Sequence, residues 1–147
     1  MTDLTMRLTL EIGLPPAKLY PNRSKGHYWT WNYNEKTAYQ QEVKLVAKLA
    51  MRSLWATFRQ GDPGFPWPRV RISYTRYWPK GQRRPDSDNW HTAMKPALDI
   101  LTARHKEGVG LVVDDGPGYV ELGPIEDNRL AIRHYHGHVI VTVERLG

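Results

Sequence analysis

Cysteine is absent from the 147 residues. That excludes disulfides, thiolate metal sites and cysteine nucleophiles, and it fits a reducing cytoplasm. No run of about 18 apolar residues occurs, so the sequence contains no candidate membrane span. The opening MTDLTMRLTLEIGLPP lacks a basic n-region and a long apolar stretch, so a secretory leader is not expected. Phosphate-cradling glycine loops, Ser/His/Asp sets, internal repeats and low-complexity segments are also missing. Acidic residues are the minority charge, 15 Asp and Glu against 21 Lys and Arg. The formal net charge is +6 and the sequence pI about 9.7, which favours a polyanionic partner. No basic amphipathic helix points to a membrane surface instead.

The few acids are concentrated. Asp86 and Asp88 lie in Arg83-Arg84-Pro85-Asp86-Ser87-Asp88-Asn89, and Asp114-Asp115 follows Leu111-Val112-Val113. In extended geometry residues two apart point to the same side, so Asp86 and Asp88 can meet one ion. Asp115 can add a third carboxylate. Mg²⁺ is commonly held by one or two carboxylates, waters and substrate phosphates, and it can acidify water and neutralise a scissile phosphate. Each motif also has a plainer reading, since Asp-x-Asp-Asn before a helix can be an N-cap and Asp-Asp-Gly-Pro-Gly a turn.

The pattern along the chain predicts a single mixed domain. Residues 6–12 alternate as a half-buried strand, with Met6, Leu8, Leu10 and Ile12 on one face. Residues 17–34 read as a long aromatic loop, and Glu35 to about Phe58 as a helix. A second strand is expected at about 69–77, with Val70, Ile72 and Tyr74 inward. A helix capped by Asp88 or Asn89 should run to about His105, kinked or delayed by Pro96. Leu111–Val113 reads as a short buried strand, 119–125 and 130–134 as strands across a turn at Glu126-Asp127-Asn128, and 138–145 as the last strand. The order implies an α/β (α+β) fold, one mixed β-sheet packed with two main helices.

These residues resemble the RusA family of Holliday junction resolvases. The likeness rests on Arg83 to Asn89, then Lys95-Pro96-Ala97-Leu98-Asp99-Ile100-Leu101, then Gly110-Leu111-Val112-Val113-Asp114-Asp115. It matches the family's Asp-x-Asp-Asn, helical Lys-x-x-x-Asp-x-Leu and Gly-x-x-x-Asp-Asp. Leu14-Pro15-Pro16, the Asn22-Arg23 pair and the long helix extend the likeness to most of the chain, although only 83–115 is specific. The resemblance implies a homodimeric, Mg²⁺-dependent endonuclease, with Mn²⁺ as a substitute, that nicks four-way DNA junctions in pairs. It implies metal binding by Asp86, Asp88 and Asp115 with Asp114 adjacent, and a bacterial or phage-infected host cytoplasm.

The sequence departs from the family at one point. The family's helical lysine lies four residues after the second Asp, where this chain has Thr92; its first helical lysine is Lys95. Seven residues advance a helix by about 700°, within about 20° of two turns, so Lys95 stays on the face of Asp88, about 4.5 Å beyond position 92. Lys95 is thus a candidate catalytic group, with partnership to Asp99 as the alternative; Asp99 itself reads as structural.

Lys80, Arg83, Arg84, Arg23 and Lys25 are the candidate DNA-binding residues. The aromatics from His27 to Tyr33 can stack on bases or pack in a core or dimer. His134, His136 and His138 alternate, but a solvated strand end accounts for them better than a zinc site. The reading to be tested is a Mg²⁺-dependent, structure-selective endonuclease. Its rivals are a non-catalytic DNA-binding protein and a nuclease acting on forks or flaps.

Overall fold

The computed structural model describes residues 6–20, 29–131 and 136–146, apart from the side chains of 29–33. Its strands are β1 (Arg7–Gly13), β2 (Val70–Trp78), β3 (Val120–Arg129) and β4 (His138–Arg145). They form one sheet in the order β1-β4-β2-β3. β4 pairs antiparallel with both β1 and β2, whereas β3 lies parallel to β2. Helix α1 spans Trp29–Trp55 and helix α2 spans Ser87–Leu101. A parallel neighbour needs a crossover, and α2 with the loop after it provides one. This is the expected mixed sheet with two helices.

Period-2 alternation sets the buried face. Leu8, Leu10 and Ile12 of β1, Val139, Val141 and Val143 of β4, and Val70, Ile72 and Tyr74 of β2 are all buried. Register aligns them in rows, such as Leu10–Val141–Tyr74. The helices cover this face with Tyr39, Val43 and Ala47 from α1 and Trp90, Met94, Ala97 and Leu101 from α2, spaced at helical intervals.

Several expected boundaries differ. Helix α1 begins at Trp29, inside the stretch read as a loop, and a 3₁₀ turn at Ala17–Leu19 occupies part of the rest. Leu111 and Val112 are buried as expected, but in place of a strand there are only isolated bridges from Val112 to Trp67 and Thr102. Glu126-Asp127-Asn128 is not a turn; parallel pairing with β2 carries β3 through it to Arg129. The pairing accommodates Gly123 and Pro124 because the register slips there, between Ile72 and Tyr74, on an edge strand where a missing N–H is tolerated. Residues 130 and 131 follow the strand, and the remainder of the expected 130–134 strand lies outside the described residues.

Candidate active site at the start of helix α2

Helix α2 begins at Ser87, two residues earlier than a cap at Asp88 would place it. Asp86 is its N-cap, and its Oδ1 accepts the Asn89 backbone N–H at 2.8 Å. Asp88 therefore sits in the first helical turn and not in extended chain, so the same-side argument for residues two apart does not apply. Both carboxylates remain exposed at the N-terminal, positive end of the helix dipole. Trp90 fixes this end: fully buried, it meets Tyr74 edge-on at 5.4 Å between ring centroids and Trp78 at 6.1 Å.

Pro96 neither delays nor interrupts α2, which is continuous from Ser87 to Leu101. Its carbonyl accepts from Gln40 Nε2 of α1 at 3.0 Å. Unbroken helix keeps Asp88, Lys95 and Asp99 along one face. Thr92, at the family's lysine position, bonds back to the Asp88 carbonyl at 3.0 Å.

The second acidic segment docks on that face. After α2 the chain folds back: Val109 N–H donates to the Ile100 carbonyl at 2.7 Å and Leu111 N–H to that of Leu101 at 2.9 Å. Gly108 permits the return, because a Cβ there would collide with the Thr102 carbonyl, and Gly110 adopts φ 75°. Asp115 then meets Lys95 Nζ at 2.9 Å, and the same ammonium lies 3.7 Å from Asp99. Lys95 thus contacts both Asp99, its expected helical partner, and Asp115 of the second acidic segment. The hydrogen bond from Lys95 holds the Asp115 carboxyl below its ordinary range and, reciprocally, raises the Lys95 pKa. Asp99 moves upward, first through burial and then through its hydrogen bond with Asp115. Asp114 Oδ1 accepts the Asp115 N–H, and its other oxygen lies 3.2 Å from Arg104.

The donor set is all carboxylate oxygen, the chemistry of a hard divalent cation. In position it is less complete: among the described residues no three His, Cys, Asp or Glu side chains are gathered to hold one ion. Asp86 caps the helix and Asp115 is turned to Lys95.

Beside the α2 N-terminus lies a cleft of about 760 Å³, lined by Asp86, Asn89, Gln82, Arg83, Arg84, Arg76, Trp78, Asp127, Pro15 and Tyr20, among others. Its basic wall is the loop after β2, where Lys80 is exposed and Arg129 Nη1 from β3 donates to the Pro79 and Gln82 carbonyls. Arg84 is half exposed and 3.4 Å from Asp127. Arg23 and Lys25 lie outside the described residues, as do His27 and His134, and the side chains of 29–33 are likewise outside them. His138 stacks on Tyr77 at 4.5 Å and stands 3.5 Å from Glu11.

Sequence reasoning missed Arg76 and Asp127. Arg76 is 5% exposed, with Nε and Nη2 bonded to the two Asp127 oxygens at 2.7 and 2.9 Å, and its guanidinium carbon lies 5.1 and 4.7 Å from the Trp78 and Trp90 rings. Trp78 Nε1 donates to the same carboxylate at 2.8 Å. These bonds, Arg76 first, hold the Asp127 carboxyl below its ordinary range. The parity that placed Val70, Ile72 and Tyr74 inward also places residue 76 inward, which was the available signal. Neither known protein-family models nor curated proteins gave a match to this chain.

Proposed function

We propose that this protein is a Mg²⁺-dependent, structure-selective DNA endonuclease of the RusA type that resolves four-way junctions by paired nicking. One observation carries the reading. The two acidic segments, far apart in sequence, are carried by one helix: Asp86 and Asp88 form its start, and Asp115 is ion-paired to Lys95 two turns along the face of Asp88. Caps and turns alone do not require that convergence. Asp86, Asp88 and Asp115, with Asp114 beside them, are the residues that would hold Mg²⁺. Bound there, the ion supplies charge neutralisation at the scissile phosphate and an acidified water.

The chain's own groups do the rest. Arg83, Arg84 and Lys80 position backbone phosphates beside the acidic helix start, which offsets the repulsion between carboxylates and DNA. The Lys95 ammonium is placed to stabilise charge as the phosphodiester breaks. Leu45 and Leu49, exposed and one turn apart on α1, are a candidate face for the second subunit that paired nicking needs. Among the described residues no helix is long and apolar enough to cross a membrane.

The test is incubation of a synthetic four-way junction, a fork, a flap and linear duplex with the protein, in Mg²⁺ and in chelator. Symmetric nicking of the junction in Mg²⁺ alone is expected. Binding to all four substrates without cleavage would favour the non-catalytic rival, and preferential cutting of forks or flaps would reassign the substrate.

A further inference from the structure

The cleft beside α2 has a feature that the nuclease reading leaves unexplained. Arg76 Nη1 and Tyr20 Oη are both sealed from water and have no hydrogen-bond partner among the described residues. An unmet buried donor costs about 1–3 kcal/mol, so such a group calls for an explanation. Trp67, Tyr74 and Trp90 also carry orphan polar atoms, but none of these three residues lines the cleft, whereas Arg76 and Tyr20 both do. Arginine can only donate. Burial pushes the Tyr20 hydroxyl far above its usual titration range, with nearby Arg76 opposing the shift, so Tyr20 also stays protonated and able to donate. The two groups make no hydrogen bond to each other, and an acceptor bound between them would satisfy both. Around them Arg83 and Arg84 complete three guanidinium groups on the cleft wall against the two carboxylates of Asp86 and Asp127. Asp127 holds the Arg76 fork by two of its nitrogens, which leaves the third fixed in direction.

The geometry points to a phosphate-binding subsite in this cleft, in which Arg76 Nη1 and Tyr20 Oη donate to the oxygens of one phosphate group. The phosphate belongs to a nucleic-acid backbone or to a small phosphorylated molecule; the first source rests on the nuclease reading, and the subsite does not. Entry between two sealed donors takes a small side-chain shift of the kind common when partners bind.

The experiment uses inorganic phosphate as the probe, with melting temperature followed against sodium chloride at equal ionic strength. Wild type should be stabilised by phosphate beyond chloride. Tyr20→Phe should weaken phosphate binding by about tenfold, the worth of one hydrogen bond to a charged group. Without phosphate it should melt at or above wild type, since it loses an orphan hydroxyl. Arg76→Gln combined with Asp127→Asn removes the charged pair together and should abolish the phosphate effect; if that double variant does not fold, Tyr20→Phe decides alone. Equal stabilisation by phosphate and chloride, unchanged phosphate affinity in Tyr20→Phe, or a much lower melting temperature of that variant without phosphate would each overturn the proposal. Binding of a four-way junction in chelator separates the sources. A parallel loss in Tyr20→Phe identifies the DNA backbone, and unchanged junction affinity identifies a small phosphorylated ligand. Failure of wild type to cleave DNA would sink the nuclease reading and leave the phosphate result standing.

Discussion

Arg76 stands in a row of the sheet otherwise built from Ile12 and Val139, and the residue that lets it stay there is Asp127 on the neighbouring strand. A buried guanidinium without its carboxylate is strongly unfavourable, and breaking such a pair costs about 3–5 kcal/mol. Asp127→Ala should lose stability on that scale in urea unfolding at pH 7. The sign with pH follows from the Asp127 carboxyl, whose folded pKa lies below its ordinary value of 3.8. Its contribution is complete above that value and is lost as pH falls through the folded pKa. The gap between wild type and Asp127→Ala should therefore be widest near neutrality and close in strong acid; a gap independent of pH would show that the pair is not ionic. Strand parity in the sequence was enough to turn residue 76 inward. Its partner was not legible, because Glu-Asp-Asn has the composition of a turn and only the pairing of β3 with β2 makes it strand.

Helix α2 and the return loop behind it form the scaffold of the site. A helix start within Asp-x-Asp-Asn, the inward residues of β2 and β4 and the apolar spacing of α2 were readable, since local rules of capping and period dictate them, but the capping residue is Asp86 and not the expected Asp88 or Asn89. The uninterrupted passage through Pro96 was not readable, because tertiary packing of Trp90, Met94 and Ala97 overrides a local preference. Nor was the docking of Asp115 on Lys95, which depends on a turn with no room for a side chain at Gly108. Gly108→Ala forces a Cβ against the Thr102 backbone, which cannot swing aside, and should lower stability by about 1–3 kcal/mol in denaturant unfolding. Unchanged stability would mean that the loop takes another path. Lys95→Ala is a different kind of change. Its side chain is 65% exposed, so loss of the ion pairs should cost less than about 1 kcal/mol. Single-turnover junction cleavage should nevertheless fall well below wild type while junction affinity drops modestly. Wild-type cleavage by Lys95→Ala would remove it from the catalytic set.

At the scale of the whole molecule, a chain of net charge +6 places its exposed Arg83 and Arg84 next to its exposed Asp86 and Asp88. Replacing both arginines by alanine should weaken DNA binding and lower the slope of log affinity against log salt by about 0.9 for each phosphate no longer neutralised. An unchanged slope would show that the two side chains face away from DNA. The mixed sheet with two helices was legible because hydrophobic period is strong in β1, β2 and β4. The polar edge strand β3 lacked that signal. The central claim is that the helix start and the Asp114–Asp115 loop act as one metal site, and the most direct measurement is the Mg²⁺ dependence of the single-turnover rate of four-way junction cleavage by wild type, Asp88→Asn and Asp115→Asn. The account predicts a rate that rises with Mg²⁺ in wild type and no cleavage in either variant, with junction binding retained. Mg²⁺-dependent cleavage surviving in both variants would contradict it.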